Sequence, residues 1–299
     1  MFVIIGILIV LGAVAGGYLL EHGHIAVLLQ PAELVIIGGA ALGTILISNP
    51  FHILKRVVSG VLGVLKPPEI NEARYLNTLK LCYEVLNKAR REGLLALESD
   101  IEEPGKSQLF GKYPWFLKDH HTRDFFCDTM RMAITGGVDP FDLDQMMELD
   151  MEVSHQEENQ PINALSTVAD ALPGLGIVAA VLGVVITMGA LGGPPEEIGK
   201  KVAAALVGTF LGILMCYGFV GPLASNMSKT VEDRHAYHQV LRVLLIAFIK
   251  GNSPIQALEF ARRSIPARCR PSFNEMEKAC KGASIAAVPS ETAAATGTE

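Results

Sequence analysis

Two stretches of this chain decide what it can fold into. Between Ala171 and Pro195, and again between Val202 and Ser228, there is no Asp, Glu, Lys or Arg. Each run is long enough to supply the roughly 20 apolar residues that carry a helix across a bilayer. Gly192-Gly193-Pro194-Pro195 punctuates the turn between them. Each run also holds a proline near one end, Pro173 and Pro222. Paired prolines and small residues at mid-depth point to a hairpin with a mechanism and not only an anchor.

The remaining sequence extends that reading. The chain is 50% hydrophobic with a mean hydropathy of +0.35, and its charge is unevenly placed. The first 54 residues contain no Lys or Arg. Phe2 to Leu20 is an apolar run in which Ala13-Val14-Ala15 mimics a cleavage site. No basic segment precedes it, so the expectation is a retained membrane helix. After a cation-free loop at 21–33, a second helix is expected over about Leu34–Leu54. Lys55 and Arg56 then open a polar block that reaches position 169 and carries thirteen cations. The positive-inside rule puts that block, and with it both termini, in the cytoplasm. Lys200 and Lys201, in the second outer loop, oppose the rule locally but are outnumbered. The formal net charge of -6 argues against a nucleic-acid partner. The five cysteines form no CxxC pair and read as reduced thiols.

The fold class expected is therefore all-α. Four transmembrane helices form two hairpins, with a helical cytoplasmic domain between the second and third. The divisions are 1–54 for the first hairpin, 55–169 for the cytoplasmic domain, 170–226 for the second hairpin and 227–299 for a C-terminal helix and tail. Within 55–169, Tyr75, Leu79, Cys82, Leu86 and Ala89 keep a helical 4-3-4-3 spacing. Asp139 before Pro140 reads as an N-cap followed by a first-turn proline, opening an acidic helix over Phe141–Glu158. Leu241, Leu244, Leu245 and Phe248 carry the last membrane helix on towards Lys250. From about Gly282 the Ala-, Thr- and Ser-rich tail reads as disordered. GxxxG pairs at Gly12/Gly16, Gly39/Gly43 and Gly208/Gly212 favour close helix packing, within the chain or between copies.

No catalytic or metal-binding constellation stands out, and no cofactor is implied. His22 and His24 share the first outer loop, where solvated histidine outweighs a two-His site. His120, His121, His235 and His238 read as surface residues. An embedded enzyme using His22, His24 or Asp170 finds no catalytic pairing to support it. Asp170 and Glu33 are read as carboxylates at membrane boundaries, so no ionisable group is expected deep in a span. An ion pathway normally needs one, and a partner chain would have to provide it. At about 1.5 Å per residue, Ala180 on the third helix and Thr209 on the fourth fall near mid-bilayer. Thr209 either presents its hydroxyl to a pore or bonds back to the carbonyl four residues earlier. Pro173 and Pro222 each remove a backbone hydrogen bond near the cytoplasmic face, as hinges would. For Pro173 a simple first-turn position is the other reading.

Three segments carry a family resemblance: QPAELVIIGGAALG at 30–43, DALPGLGIVAAVLGVV at 170–185 and VGTFLGILMCYGFVGPLA at 207–224. In this order, around a cytoplasmic insert of about 115 residues, they resemble MotA, the A-subunit family of the bacterial flagellar stator. The resemblance implies an inner-membrane homopentamer around two single-span MotB-type chains, whose membrane aspartate passes protons. It places hinge prolines on Pro173 and Pro222 and the pore threonine on Thr209. Ala180 stands where sodium-driven relatives carry a second threonine, which favours protons. Charges facing the rotor switch protein FliG fall on Arg90 and Glu98, with Arg91 beside them. From spacing alone these three residues are an ordinary solvated face. The alternative is an ExbB/TolQ-type energiser, whose three-span layout fits the first hairpin poorly.

Overall fold

The structure is a computed structural model that describes residues 2–189 and 192–285. Within them every regular element is helical. In chain order these are α1 (Phe2–Leu20), α2 (Ile25–Leu28), α3 (Pro31–Ser48), α4 (Phe51–Val64) and α5 (Glu72–Glu92). Then come α6 (Glu98–Glu102), α7 (Gln108–Gly111), α8 (Pro114–Lys118), α9 (His120–Thr135) and the long α10 (Pro140–Met188). The rest are α11 (Pro195–Leu214), a π-helical segment (Met215–Val220), α12 (Gly221–Ile249), α13 (Pro254–Ser264) and α14 (Phe273–Ile285). Four of the helical stretches are long and apolar enough to cross a membrane: Phe2–Leu20, Ile25–Ser48, Pro140–Met188 and Pro195–Ile249.

The chain divides into two compact units. The first combines the residues up to Pro68 with Gln156–Val231. Its spans bury little of themselves, and α1 contributes no buried residue. Phe2, Leu8, Ile9 and Ile47 stand exposed, as side chains in contact with lipid do. Two apolar clusters hold the unit together. One joins Ile37 and Ala41 of α3 to Ala169, Leu172 and Ala179 of α10 and to Cys216. The other seats Ile53, Val57 and Val64 of α4 on Ile162, Leu165, Ala224, Met227 and Val231.

The second span departs from expectation. It ends at Ser48 rather than near Leu54, because Asn49 turns extended (φ -135°, ψ 141°) ahead of Pro50. Proline disfavours helical backbone in the residue before it. Residues 51–64 form the separate helix α4. The third span differs more: the acidic segment and the membrane segment are one uninterrupted helix, Pro140–Met188, with Pro161 and Pro173 in its interior. Its start is as expected, with Asp139 Oδ1 accepting from the Phe141 N–H at 2.7 Å.

The second unit comprises Glu69–His155 and the chain from Glu232 onward. The sequence divisions 55–169 and 227–299 separate those two regions, but they share one core. Tyr75, Leu79, Cys82 and Leu86 of α5 bury among Leu241, Leu244 and Leu245 of α12, Leu258 of α13, and Met276 and Cys280 of α14. Phe110, Phe116 and Phe126 stack in tilted and edge-to-face pairs, with centroids 4.9 to 6.2 Å apart. A polar network crosses this core. The Arg74 guanidinium lies 4.0 Å above the Trp115 ring and bonds Asp119 at 2.5 Å. Asp119 in turn caps α9, accepting from the Thr122 N–H at 3.2 Å and from its hydroxyl at 2.8 Å. The Thr122 hydroxyl also meets His238 Nε2 at 3.2 Å. His238 is therefore buried, and the expectation of a surface histidine fails there. Helix α14 stays regular through Ile285, past the expected start of disorder at Gly282. The rest of that tail lies outside the described residues.

Candidate functional site

The second membrane hairpin is closed by glycines. A Cβ built on Gly212 would lie 2.6 Å from the Leu172 carbonyl and 2.8 Å from Gly176 Cα. One on Gly183 would meet Ala205 Cβ at 2.7 Å. Small residues on both helices thus bring α10 and α11 to backbone contact, the arrangement that holds helices together where no hydrophobic effect drives them. Of the three GxxxG pairs, Gly208/Gly212 packs inside the chain. Around Gly12, Gly16, Gly39 and Gly43 nothing lies within 4 Å of the Cβ position.

Ala180 and Thr209 lie on this hairpin, both half-buried. A Cβ on Gly208 would sit 3.1 Å from Ala179 Cβ and 3.1 Å from the Ala180 nitrogen, so the two positions are level across the helix pair. The Thr209 hydroxyl makes no hydrogen bond among the described residues. Other membrane threonines behave differently. Thr44 donates to the Ala40 carbonyl at 3.0 Å, and Thr187 to the Gly183 carbonyl at 2.8 Å.

Glu33 corrects the sequence reading. Its place in the sequence puts it at a membrane boundary, with nothing ionisable at depth. It is instead 7% exposed, in the first turn of α3. Its Oε2 would lie 2.7 Å from a Cβ on Gly208. The carboxylate therefore occupies the notch that this glycine leaves, at the level of Ala180. Its Oε2 is buried and has no hydrogen-bond partner among the described residues. Counting residues inward from Glu21 misses this depth because the loop, with the short helix α2, folds back along α11. The one hint in the sequence is a carboxylate two residues after Pro31, inside the first turn of a span.

Pro173 is not a first-turn residue; it lies well inside α10. Pro222 sits at the second position of α12, directly after the π-helical turn Met215–Val220. A proline ring clashes with the carbonyl four residues earlier in a regular α-helix. The wider turn in front of Pro222 relaxes that clash, and turns of this kind mark functional sites in other helices.

Arg90, Arg91 and Glu98 lie in the second unit, on either side of a tight turn. Arg90 and Arg91 form the last turn of α5, which stops at Gly93 with φ 89°. Glu98 opens α6. All three are exposed, and none makes an ion pair among the described residues. Their neighbours do: Lys88 pairs with Asp100 at 2.7 Å and Arg131 with Glu102 at 2.6 Å. With the exposed Glu92 at the end of α5, the turn thus presents two cations and two anions that make no ion pair among the described residues. Nowhere among the described residues do three His, Cys, Asp or Glu side chains gather as a metal site would require.

The chain is similar to known proteins along most of its length. A family model described as the motility protein A N-terminal region matches residues 4–93. The model of the MotA/TolQ/ExbB proton channel family matches residues 117–239. Motility protein A of Escherichia coli is 38% identical over 93% of this chain and 94% of its own length. Motility protein A of Salmonella typhimurium is 37% identical with the same coverage. Chemotaxis protein LafT of Vibrio parahaemolyticus is 37% identical over 92% of this chain and 96% of its own. Two solved structures share the fold. C. jejuni MotAB has a TM-score of 0.73 at 20% identity, covering 89% of this chain and 95% of that one. The flagellar MotAB stator complex of Bacillus subtilis has 0.72 at 22% identity, covering 89% and 96%. With more than a third of positions identical over nine-tenths of its length, this chain belongs to the motility protein A family.

Proposed function

We propose that this chain is the A subunit of a flagellar stator, a multi-pass inner-membrane protein with both termini in the cytoplasm. With a MotB-type B subunit that contributes a membrane aspartate, it forms a proton channel and converts ion flow into torque. The assembly implied is five A chains around two B chains. Protonating the partner's aspartate removes a charge from the A–B interface and shifts which arrangement is favoured. Pro173 and Pro222 give the third and fourth spans their points of flexure. Arg90, Arg91 and Glu98 make the contact with FliG on the rotor.

The observation that carries the reading is the hydroxyl of Thr209, level with Ala180 and, unlike that of Thr187 on the same hairpin, without a hydrogen bond among the described residues. Between them, positions 180 and 209 offer one hydroxyl and one methyl, so at this level the third and fourth helices lack the second side-chain hydroxyl that would help replace the water around a sodium ion. A proton needs only a carboxylate and a group to relay it. The test uses cells powered by this stator alone. Swimming speed is expected to collapse with a protonophore, to ignore external sodium at fixed pH, and to fall in Thr209→Val. A speed that tracks sodium overturns the ion assignment. Co-purification decides the partner: a single-span chain with a membrane aspartate and a wall-binding domain fits the stator, whereas an outer-membrane energiser partner defeats it.

A further inference from the structure

We infer that Glu33 is a second proton-binding carboxylate of the pathway, an acceptor on the chain itself rather than on its partner. The inference rests on the stator reading and adds a group to it. Glu33 reaches the level of Ala180 and Thr209 because Gly208 has no side chain: a Cβ there would lie 2.7 Å from Oε2. The residue is almost fully enclosed, yet Oε2 has no donor among the described residues. A purely structural buried carboxylate would have hydrogen-bond partners, since an orphaned one is costly.

The carboxylate lies against Gly208, in the first turn of α3. The charged groups on α10 and α11 are set off along those helices from the level of Ala180 and Gly208. Helix α2 has no titratable residue. On α11, Glu196 and Glu197 pair with Lys200 and Lys201 in its outer turns, and Lys201 lies about 10 Å along the helix from Gly208. On α10, Asp170 is about 15 Å from Ala180 by the same rise. Cys216, the titratable group inward on the fourth span, is about 12 Å from Gly208. A proton arriving from the outer side binds a carboxylate oxygen, leaving the acid neutral. The same proton then departs inward and restores the carboxylate, so nothing is oxidised or reduced.

The experiment compares Glu33→Gln and Glu33→Asp in the complete A–B complex, with proton influx followed as acidification of the cell interior. Glu33→Gln keeps the shape of the side chain and removes its proton exchange. It is expected to cut influx at least five-fold and to flatten the dependence of influx on external pH. Glu33→Asp is expected to keep at least half the wild-type rate. Equal influx and equal pH profiles in wild type and Glu33→Gln overturn the inference while leaving the stator reading intact. Equal losses in both variants also overturn it, as they mark a packing role. If Glu33→Gln does not co-purify with the B subunit, the wild-type complex is treated with dicyclohexylcarbodiimide, which attacks protonated carboxyls in apolar surroundings. Modification mapped to Glu33 that declines as pH rises supports the inference, and an unmodified Glu33 overturns it. Absence of protonophore-sensitive influx in the wild type would instead indict the stator reading itself.

Discussion

Tyr237 donates its phenolic hydrogen to Thr78 Oγ1 across 2.6 Å, because Thr78 directs its own proton to the Arg74 carbonyl at 2.8 Å. Both residues are about 2% exposed or less. The bond ties α5 to α12 inside the second unit, next to the Arg74–Trp115 stack. Tyr237→Phe keeps the ring and removes the donor, which costs about 1 kcal/mol. The expected result is a thermal midpoint lower by about 2–4 °C for the purified protein, with proton influx unchanged. An unaltered midpoint would show that the hydroxyl contributes nothing net.

Glycine positions separate into two classes with different tolerance. Gly212→Ala drives a methyl into the Leu172 carbonyl and Gly176 Cα, both backbone atoms that cannot swing away. Helices α10 and α11 must part, at a cost of about 1–3 kcal/mol, and membrane accumulation of the protein should drop. Gly12→Ala and Gly39→Ala meet nothing within 4 Å in the chain. Their effect should appear, if anywhere, only in assembly with other chains. Normal accumulation and thermal stability for Gly212→Ala would refute the close-packed hairpin.

Charge reversal at the Gly93 turn tests the rotor contact. Arg90→Glu with Arg91→Glu, and separately Glu98→Lys, should reduce swimming without reducing proton influx. Exposed pairs are worth about 0–1 kcal/mol each, so Arg90→Glu alone should have a milder effect than the double reversal. A matching reversal on the rotor protein should restore motility. Normal swimming by the double mutant would remove these residues from the interface.

Glu259 sets one part of the acid stability of the second unit. It accepts from Arg262 at 2.7 and 2.8 Å and from Arg263 at 2.7 Å. The bonds from Arg262, opposed in part by burial and aided by those from Arg263, hold its carboxyl down at about 2 from an ordinary value of 4.5. A depressed value in the fold means stability that is present above about pH 4.5 and lost as pH falls towards 2. Screening by solvent reduces the effect to about 1 kcal/mol. Glu259→Gln should therefore lower the thermal midpoint at pH 7, and the difference from wild type should shrink to nothing near pH 2. A difference that persists at acid pH would assign the effect to packing.

Much of this molecule was legible in its sequence, and the parts that were not share a cause. The spans, the α5 stripe and the Asp139–Pro140 start are local patterns, set by charge-free length, helical spacing and backbone geometry. Glu33 was misplaced because its depth depends on how the loop before α3 folds along α11, which no spacing records. The union of Tyr75 and Leu79 with Leu258 and Met276 is a contact between distant segments with compatible apolar stripes. His238 looked exposed because its neighbours in sequence are polar, while its neighbours in space are Thr122 and Phe125. Arg90, Arg91 and Glu98 could be picked from a solvated face only by resemblance. Their lack of partners is a property of the fold.

The π turn at Met215–Val220 also acts as a register shifter. On one side of it the buried stripe of the fourth span runs through Ala205, Gly208, Gly212 and Cys216; on the other it runs through Ala224, Met227 and Val231. With Val220 between them these residues make seven steps from Ala205 to Val231. Seven regular turns use about 25 residues, one fewer than the chain supplies, and the wide turn absorbs the surplus. Deleting one residue within 215–220 would let the segment relax to plain α-helix with both stripes still facing inward. The same deletion a few residues to either side would rotate one stripe by about 100° against the other. Length, and not only sequence, is therefore under constraint in this helix, and the place where the constraint is released lies directly in front of Pro222.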